Sequence, residues 1–276
     1  MTYATVMVGL ALDRSNDARL EIARETAERF DAHVIGITAA QFSPPLYFTS
    51  GDQAQKLLDE GRAEIRDRIA GLEAQFRKAL QSRADRLEWR CAEDFPARYM
   101  VGQARAADLL IAGQQGSDAF ADPFEQASPG DLVMQAGRPL LVVPDAGTWL
   151  DLRSALVAWK DTAEARRAVV DALPLLRKAR DVAVAELIGD EAQRPTAQAR
   201  LNDVVIWLSR HGVTARAEVA NDRGDTATHL EAIAADVGAG LIIAGAYGHS
   251  RFREWVLGGV TRQLINPSNR CSLLSR

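Results

Sequence analysis

The residues of this chain whose types and spacing suit chemistry are glycines. The apolar run Leu241-Ile-Ile-Ala ends in Gly245-Ala-Tyr247-Gly248, and ten residues on Gly258-Gly259 stands before Val260 and Thr261. A glycine directly after a strand accepts positive φ and allows close approach to the backbone, and a second one three residues later lets successive N–H groups face one concavity. The stretch from Val260 reads as a helix start, where free N–H groups and the helix dipole favour an anion. Gly245, Gly248, Gly258 and Gly259 could therefore clasp a polyphosphate from two sides, with Tyr247, His249 and Val260 alongside and Thr261 as a hydroxyl donor. A bare G-x-x-G is also a common tight turn, so both readings stay open on the glycines alone.

Other signatures are missing. The chain has no G-x-x-x-x-G-K-[ST], no G-x-G-x-x-G after a strand, no G-x-S-x-G and no H-E-x-x-H. His33, His211, His229 and His249 are scattered, and Cys91 and Cys271 lie in no metal-ligand or disulfide-framework spacing. No nucleophile, general base or metal cluster can be named, so an enzyme is not expected. A net charge of -4 provides no global positive field for nucleic acid. No stretch approaches 18 apolar residues, so no membrane span is expected and the location should be cytoplasmic.

The glycine loop must be held by repeated elements, because it occurs twice. Ala107 to Gly116 (ADLLIAGQQG) aligns without gaps on Ala239 to Gly248 (AGLIIAGAYG), with six of ten positions identical. Helical stretches precede both copies; after both come a glycine-led helix start and a short apolar run, residues 140–144 and 271–275. The beginnings match too. TVMVG…HVIGIT and SALVA…VAVAELI each flank an amphipathic helix, with Ala18, Ile22, Ala23, Ala27 and Phe30 at helical spacing in the first and Asn16 or Asp17 as its N-cap. Strands alternating with helices imply right-handed βαβ units in a parallel sheet. The fold class expected is α/β, two tandem doubly wound open parallel-sheet domains at residues 1–146 and 152–276. The first also carries a long charged helix around 55–80, whose Leu57, Leu58, Ile65, Ile69, Leu72 and Phe76 form one apolar stripe.

Gly245-x-x-Gly248, nine residues, Gly258 and then Val260-Thr261, after LIIAG, resembles the C-terminal signature of the universal stress protein family, G-x-x-G-x9-G-[ST]. With its repeat, the whole chain looks like a tandem member. The resemblance implies a five-stranded, adenine nucleotide alpha-hydrolase-like domain in each half, related by a pseudo-two-fold. It implies pairing of the two halves through their last strands as an intramolecular pseudo-dimer, with a homodimer of tandem chains as a further option. It also implies stress-linked regulation, with ATP, accompanied by magnesium, or AMP as the ligand of some members.

Carried over by position, Gly245, Gly248 and Gly258 match, whereas Gly259 stands at the Ser/Thr place. The acidic position after the first strand falls on Lys160, followed by Asp161 and by Thr162 as a second hydroxyl donor, and Arg251 and Arg253 read as a solvated face. In the first half Asp13, Ser15, Gly113 and Gly116 match, but Gly130 follows after thirteen residues and Asp131 replaces Ser/Thr. A carboxylate beside a phosphate is unfavourable, so this half is expected not to bind ATP in the family's manner. Its segment SDAFADPFEQASP is expected to fold over the site or to form a contact surface.

Three functions follow. The first is a stress-response regulator with an adenine nucleotide in the second half; the second is a nucleotide-free interaction scaffold with both sites degenerate. A slow ATPase is third. The preserved glycine spacing puts the nucleotide reading first.

Overall fold

The structure is a computed structural model and describes residues 2–43, 51–115, 122–146, 149–222, 224–247, 259–266 and 268–276. Its centre is built from the most apolar runs of the sequence. β1 (Thr5–Gly9), β4 (Leu109–Gly113) and β5 (Leu140–Val143) of the first half, and β6 (Ser154–Ala158), β9 (Leu241–Gly245) and β10 (Cys271–Ser275) of the second, are almost wholly buried, as strands covered on both faces must be. β2 (His33–Ala39) and β7 (Asp181–Ile188) lie outside them. β3 (Leu87–Ala92, LEWRCA) and β8 (Ala215–Asn221, ARAEVAN) form the edges. Their mixed polar composition is what a half-covered edge strand requires.

All ten strands form one sheet in the order β3-β2-β1-β4-β5-β10-β9-β6-β7-β8, parallel throughout except where β5 and β10 meet antiparallel. Leu141 faces Leu273 in that pair. These two leucines hold the same place in their halves, since Leu141 aligns with Ile111 of β4 and Leu273 with Ile243 of β9. The pseudo-two-fold therefore passes through this pair. The junction also covers an edge that each half would otherwise expose.

Helices α1 (Asp17–Phe30), α2 (Gly51–Ala79), α5 (Ala163–Leu176) and α6 (Arg194–Arg210) pack over one face, and α3 (Pro96–Gln103), α4 (Pro129–Gln135), α7 (Thr226–Asp236) and α8 (Gly259–Ile265) over the other. Only Ile65 and Phe76 of the expected α2 stripe are fully buried, along with Gly61; the four leucine and isoleucine positions between and before them are half-covered. A 29-residue helix on the outside of one half has too little sheet beneath it to bury more. Across the dyad, the Tyr3 hydroxyl donates to the carbonyl of Asp171 at 2.6 Å, and the amide of Leu150 donates to the Glu25 carboxylate at 2.8 Å. No helix among the described residues is long and apolar enough to cross a membrane.

Candidate functional site

In open parallel sheets the loops at the carboxyl ends of the strands converge where the strand order reverses, here between β1 and β4 in one half and between β6 and β9 in the other. In the second half β9 delivers Gly245 to that point. Ala246 then donates to the carbonyl of Ser275 at 2.8 Å, and Tyr247 takes a left-handed φ of 65°. What approaches Gly245 most closely is the chain itself: a Cβ there would lie 2.5 Å from the amide nitrogen of Ala165 and 2.6 Å from the carbonyl carbon of Glu164. The first turn of α5 rests directly on this glycine. Its absent side chain is required by helix packing.

Thr162 caps α5, its hydroxyl oxygen accepting from the Ala165 amide at 3.4 Å, which leaves the O–H free to donate elsewhere. Lys160 is exposed, with its carbonyl accepting from the Thr162 amide at 2.7 Å, and Asp161 pairs with Arg166 at 2.5 Å. Gly259 opens α8 at an exposed position, and a Cβ there would meet none of the described residues within 4 Å. Val260 is half-buried, and Thr261 is turned to the buried side of α8. Tyr247 is half-buried, and burial pushes its hydroxyl pKa up, with the negative charge of Asp131 adding to the shift and Arg276 opposing it. Gly248, His249, Arg251, Arg253 and Gly258 lie outside the described residues.

The first half is built differently at the same place. Asn16 occupies the N-cap position of α1 but does not cap with its side chain. Instead its amide grips Ala11, accepting from the Ala11 N–H at 3.0 Å and donating to the Ala11 carbonyl at 2.9 Å, which closes the loop after β1. Asp13 lies 3.6 Å from the guanidinium of Arg14, and the Ser15 hydroxyl donates to Asp17 at 2.9 Å. Where the second half has Ala165, this half has Arg19. Its guanidinium lies on Gly113, where a Cβ would come within 2.6 Å of Nε. Gly130 and Asp131 sit in the first turn of α4, capped by Ser128. The carboxyl-terminal part of the inserted segment does fold over the crevice: Gln41 and Leu12 donate to the carbonyls of Phe124 and Glu125 at 3.0 and 3.4 Å. Arg68 of α2 holds Glu125 in a two-point ion pair at 2.7 and 2.8 Å. Gly116 lies outside the described residues.

The loops of the two halves also touch. The Gln114 amide N–H donates to Val143 at 3.1 Å, the counterpart of the Ala246 to Ser275 bond. Its buried side chain then crosses the dyad, donating to the carbonyl and hydroxyl of Ser268 and accepting from the Ser268 amide at 3.1 Å. Gln115 donates to the carbonyl of Ile265 at 2.8 Å. The far end of α8 is thus anchored by the first half's loop.

Arg19 and Gln114 were not among the residues singled out from the sequence. A signal for Arg19 was present, because residues 19, 22, 23, 26 and 27 form one i, i+3, i+4, i+7, i+8 stripe, and Arg19 shares it with buried Ile22, Ala23, Thr26 and Ala27. Gln114 carried no such signal, since its partner lies 154 residues away.

Among solved structures the chain resembles a universal stress protein from Archaeoglobus fulgidus DSM 4304, with a TM-score of 0.75 at 12% identity, over 99% of this chain and 96% of that one. The chain has the universal stress protein fold, in tandem. The same fold links it to a putative universal stress protein from Pseudomonas aeruginosa UCBPP-PA14, with a TM-score of 0.60, 12% identity and coverage of 99% and 93%. A functionally unknown protein from Pseudomonas aeruginosa PAO1 aligns with a TM-score of 0.59, 13% identity and coverage of 99% and 92%. No family model matches the sequence, and no curated protein matches it. The expected universal stress architecture, with its last strands paired across the dyad, is what the tertiary structure contains.

Proposed function

We propose that this chain is a stress-response regulatory protein of universal-stress type, with repeats at 1–146 and 152–276, that binds an adenine nucleotide in its second half. The observation that carries the reading is the contrast between the two crevices. In the first, Arg19 fills the space beside Gly113 and the 122–127 strap closes the mouth. In the second, Lys160 is exposed just past the end of β6, the Thr162 hydroxyl keeps its O–H free at the start of α5, and no described residue crowds Gly259. These groups fit an anionic, hydroxyl-bearing ligand. The Lys160 ammonium neutralises phosphate charge, the Thr162 O–H donates, and the N–H groups of Gly259 and Val260 meet phosphate oxygens, with magnesium accompanying ATP as counter-charge. Gly259 contributes a backbone donor but no hydroxyl.

The test combines the contents of the purified protein with its response to added nucleotide. Denaturation is expected to release an adenine nucleotide, and ATP with magnesium is expected to raise the melting temperature by mass action. Gly259→Ser, which meets no described residue within 4 Å, should strengthen that response, and Lys160→Glu should weaken it. If no nucleotide is released and no melting shift occurs at millimolar ATP and magnesium, the nucleotide reading fails. The nucleotide-free scaffold then takes its place. That second reading draws on one observation, the first turn of α5 occupying the space directly in front of Gly245. Steady phosphate release above that of the Lys160→Glu variant would instead indicate a slow ATPase.

A further inference from the structure

Among the described residues, the buried guanidinium of Arg19 has no counter-charge in contact with it. Arg19 is 4% exposed, and its hydrogen bonds to described residues are two long ones of 3.4 Å, to the carbonyls of Gly9 and Ser15. No described carboxylate pairs with it. Asp145 and Asp13 attract it from a distance, but both lie beside Arg14, at 3.9 and 3.6 Å, and Arg14 itself repels it. Burial lowers its pKa to about 10, which still leaves the charge in place at neutral pH. A buried charge held by two long neutral hydrogen bonds is costly, and a guanidinium has five N–H groups to satisfy.

Arg19 faces a cavity of about 20 Å³ that is also lined by Gly9, Thr38, Gly113 and Gln126. Gln126 brings a second anomaly, because its Oε1 is buried with no hydrogen-bond partner among the described residues. The two ends of an amide are exchangeable by rotation, and turning this one over would present its NH2 where the orphaned acceptor stands. Guanidinium and amide would then both offer N–H groups to this cavity. The volume suits a single small particle. A water would satisfy hydrogen bonds but not the charge, and a nucleotide does not fit.

We propose that this crevice of the first half is a binding site for a small monovalent inorganic anion, of the size of chloride, held by Arg19 and Gln126. The ion completes the electrostatics of the first half and makes this crevice a structural anion site, whichever ligand the second half takes. Because the bound ion belongs to the folded state only, the anion stabilises the chain by mass action.

The test measures the melting temperature of the full chain in sodium chloride and in sodium gluconate at equal ionic strength, gluconate being too large for the cavity. A saturable rise of a few degrees with chloride is expected for the wild type and none for Arg19→Met, which removes the charge and keeps the length. Equal melting in both salts overturns the proposal, as does a chloride response that survives in Arg19→Met. Should Arg19→Met fail to fold, bromide-soaked crystals of the wild type decide the matter through anomalous scattering. A peak in contact with the Arg19 guanidinium supports the site; water alone there, with bromide only on the surface, overturns it. An ATP-induced shift that Arg19→Met abolishes would place a nucleotide in this half and also overturn it.

Discussion

Gly113 and Gly245 occupy the same position in the two repeats, and substituting each with alanine should have unequal consequences. Neither has positive φ, so the difference arises from packing. At Gly245 the new Cβ would meet backbone, 2.5 Å from Ala165 N and 2.9 Å from its Cα, against an ordinary contact of about 3.5–4.0 Å. The first turn of α5 would have to move by roughly 1 Å. That helix buries Ala165, Ala168, Val169, Ala172 and Leu173, so the movement disturbs a packed face. Overpacking of this kind costs about 1–3 kcal/mol, and the rigid obstacle puts Gly245→Ala at about 3 kcal/mol. At Gly113 the obstacle is the end of the Arg19 side chain, which can swing aside. There the cost should be about 1 kcal/mol, partly offset by the roughly 0.4–1 kcal/mol that alanine gains by restricting the unfolded chain. Urea unfolding followed by circular dichroism reads both as shifts in midpoint at constant slope. Losses that agree within about 0.5 kcal/mol, or a larger loss at Gly113, would refute the reasoning. The result also bears on the nucleotide question. A Gly245 variant that loses ATP binding says little if it has lost α5, which is why Gly259 and Lys160 are the better probes.

Gln114→Ala strands the half-buried amide and carbonyl of Ser268 and should cost about 1–2 kcal/mol, a loss read by the same urea titration. Tyr3→Phe removes one bond across the dyad and should cost about 1 kcal/mol. Arg68→Ala releases the strap at Glu125; because that pair is partly exposed, stability should fall by no more than about 1 kcal/mol, while limited proteolysis between residues 122 and 127 should speed up. Cys91 is exposed and Cys271 buried, so a thiol reagent at pH 8 should titrate one group in the native chain and two in denaturant. Burial, with Glu25 adding, raises the Cys271 pKa from 9.0 to about 12. Between those values the unfolded chain has lost a proton that the native chain keeps, so stability should be unaffected by this group below pH 9 and decline above it. Cys271→Ala should flatten that decline, and an unchanged alkaline slope would exclude the mechanism.

The repeat, the strand and helix order and the central buried strands were legible in the sequence itself, whereas the pairing of residues 140–144 with 271–275 was implied only by the family resemblance. Apolar runs and helical periodicity are local patterns that burial on both faces of a sheet imposes residue by residue. The edge strands β3 and β8 were less legible because half-covered strands need no continuous apolar run. The candidate site was legible only as a set of positions. A glycine announces that something comes close to the backbone, but not what. The tertiary structure decided that α5 does so at Gly245 and Arg19 at Gly113, and that Gln114 joins the first half's loop to the end of α8. Those contacts depend on where a helix lands after the chain has crossed the sheet, and side chains distant in sequence meet only once all ten strands are in register. The sequence by itself determined two repeats of one α/β unit with a glycine loop in each; the packing of each first helix against its glycine, set by long-range geometry, made the two loops unlike.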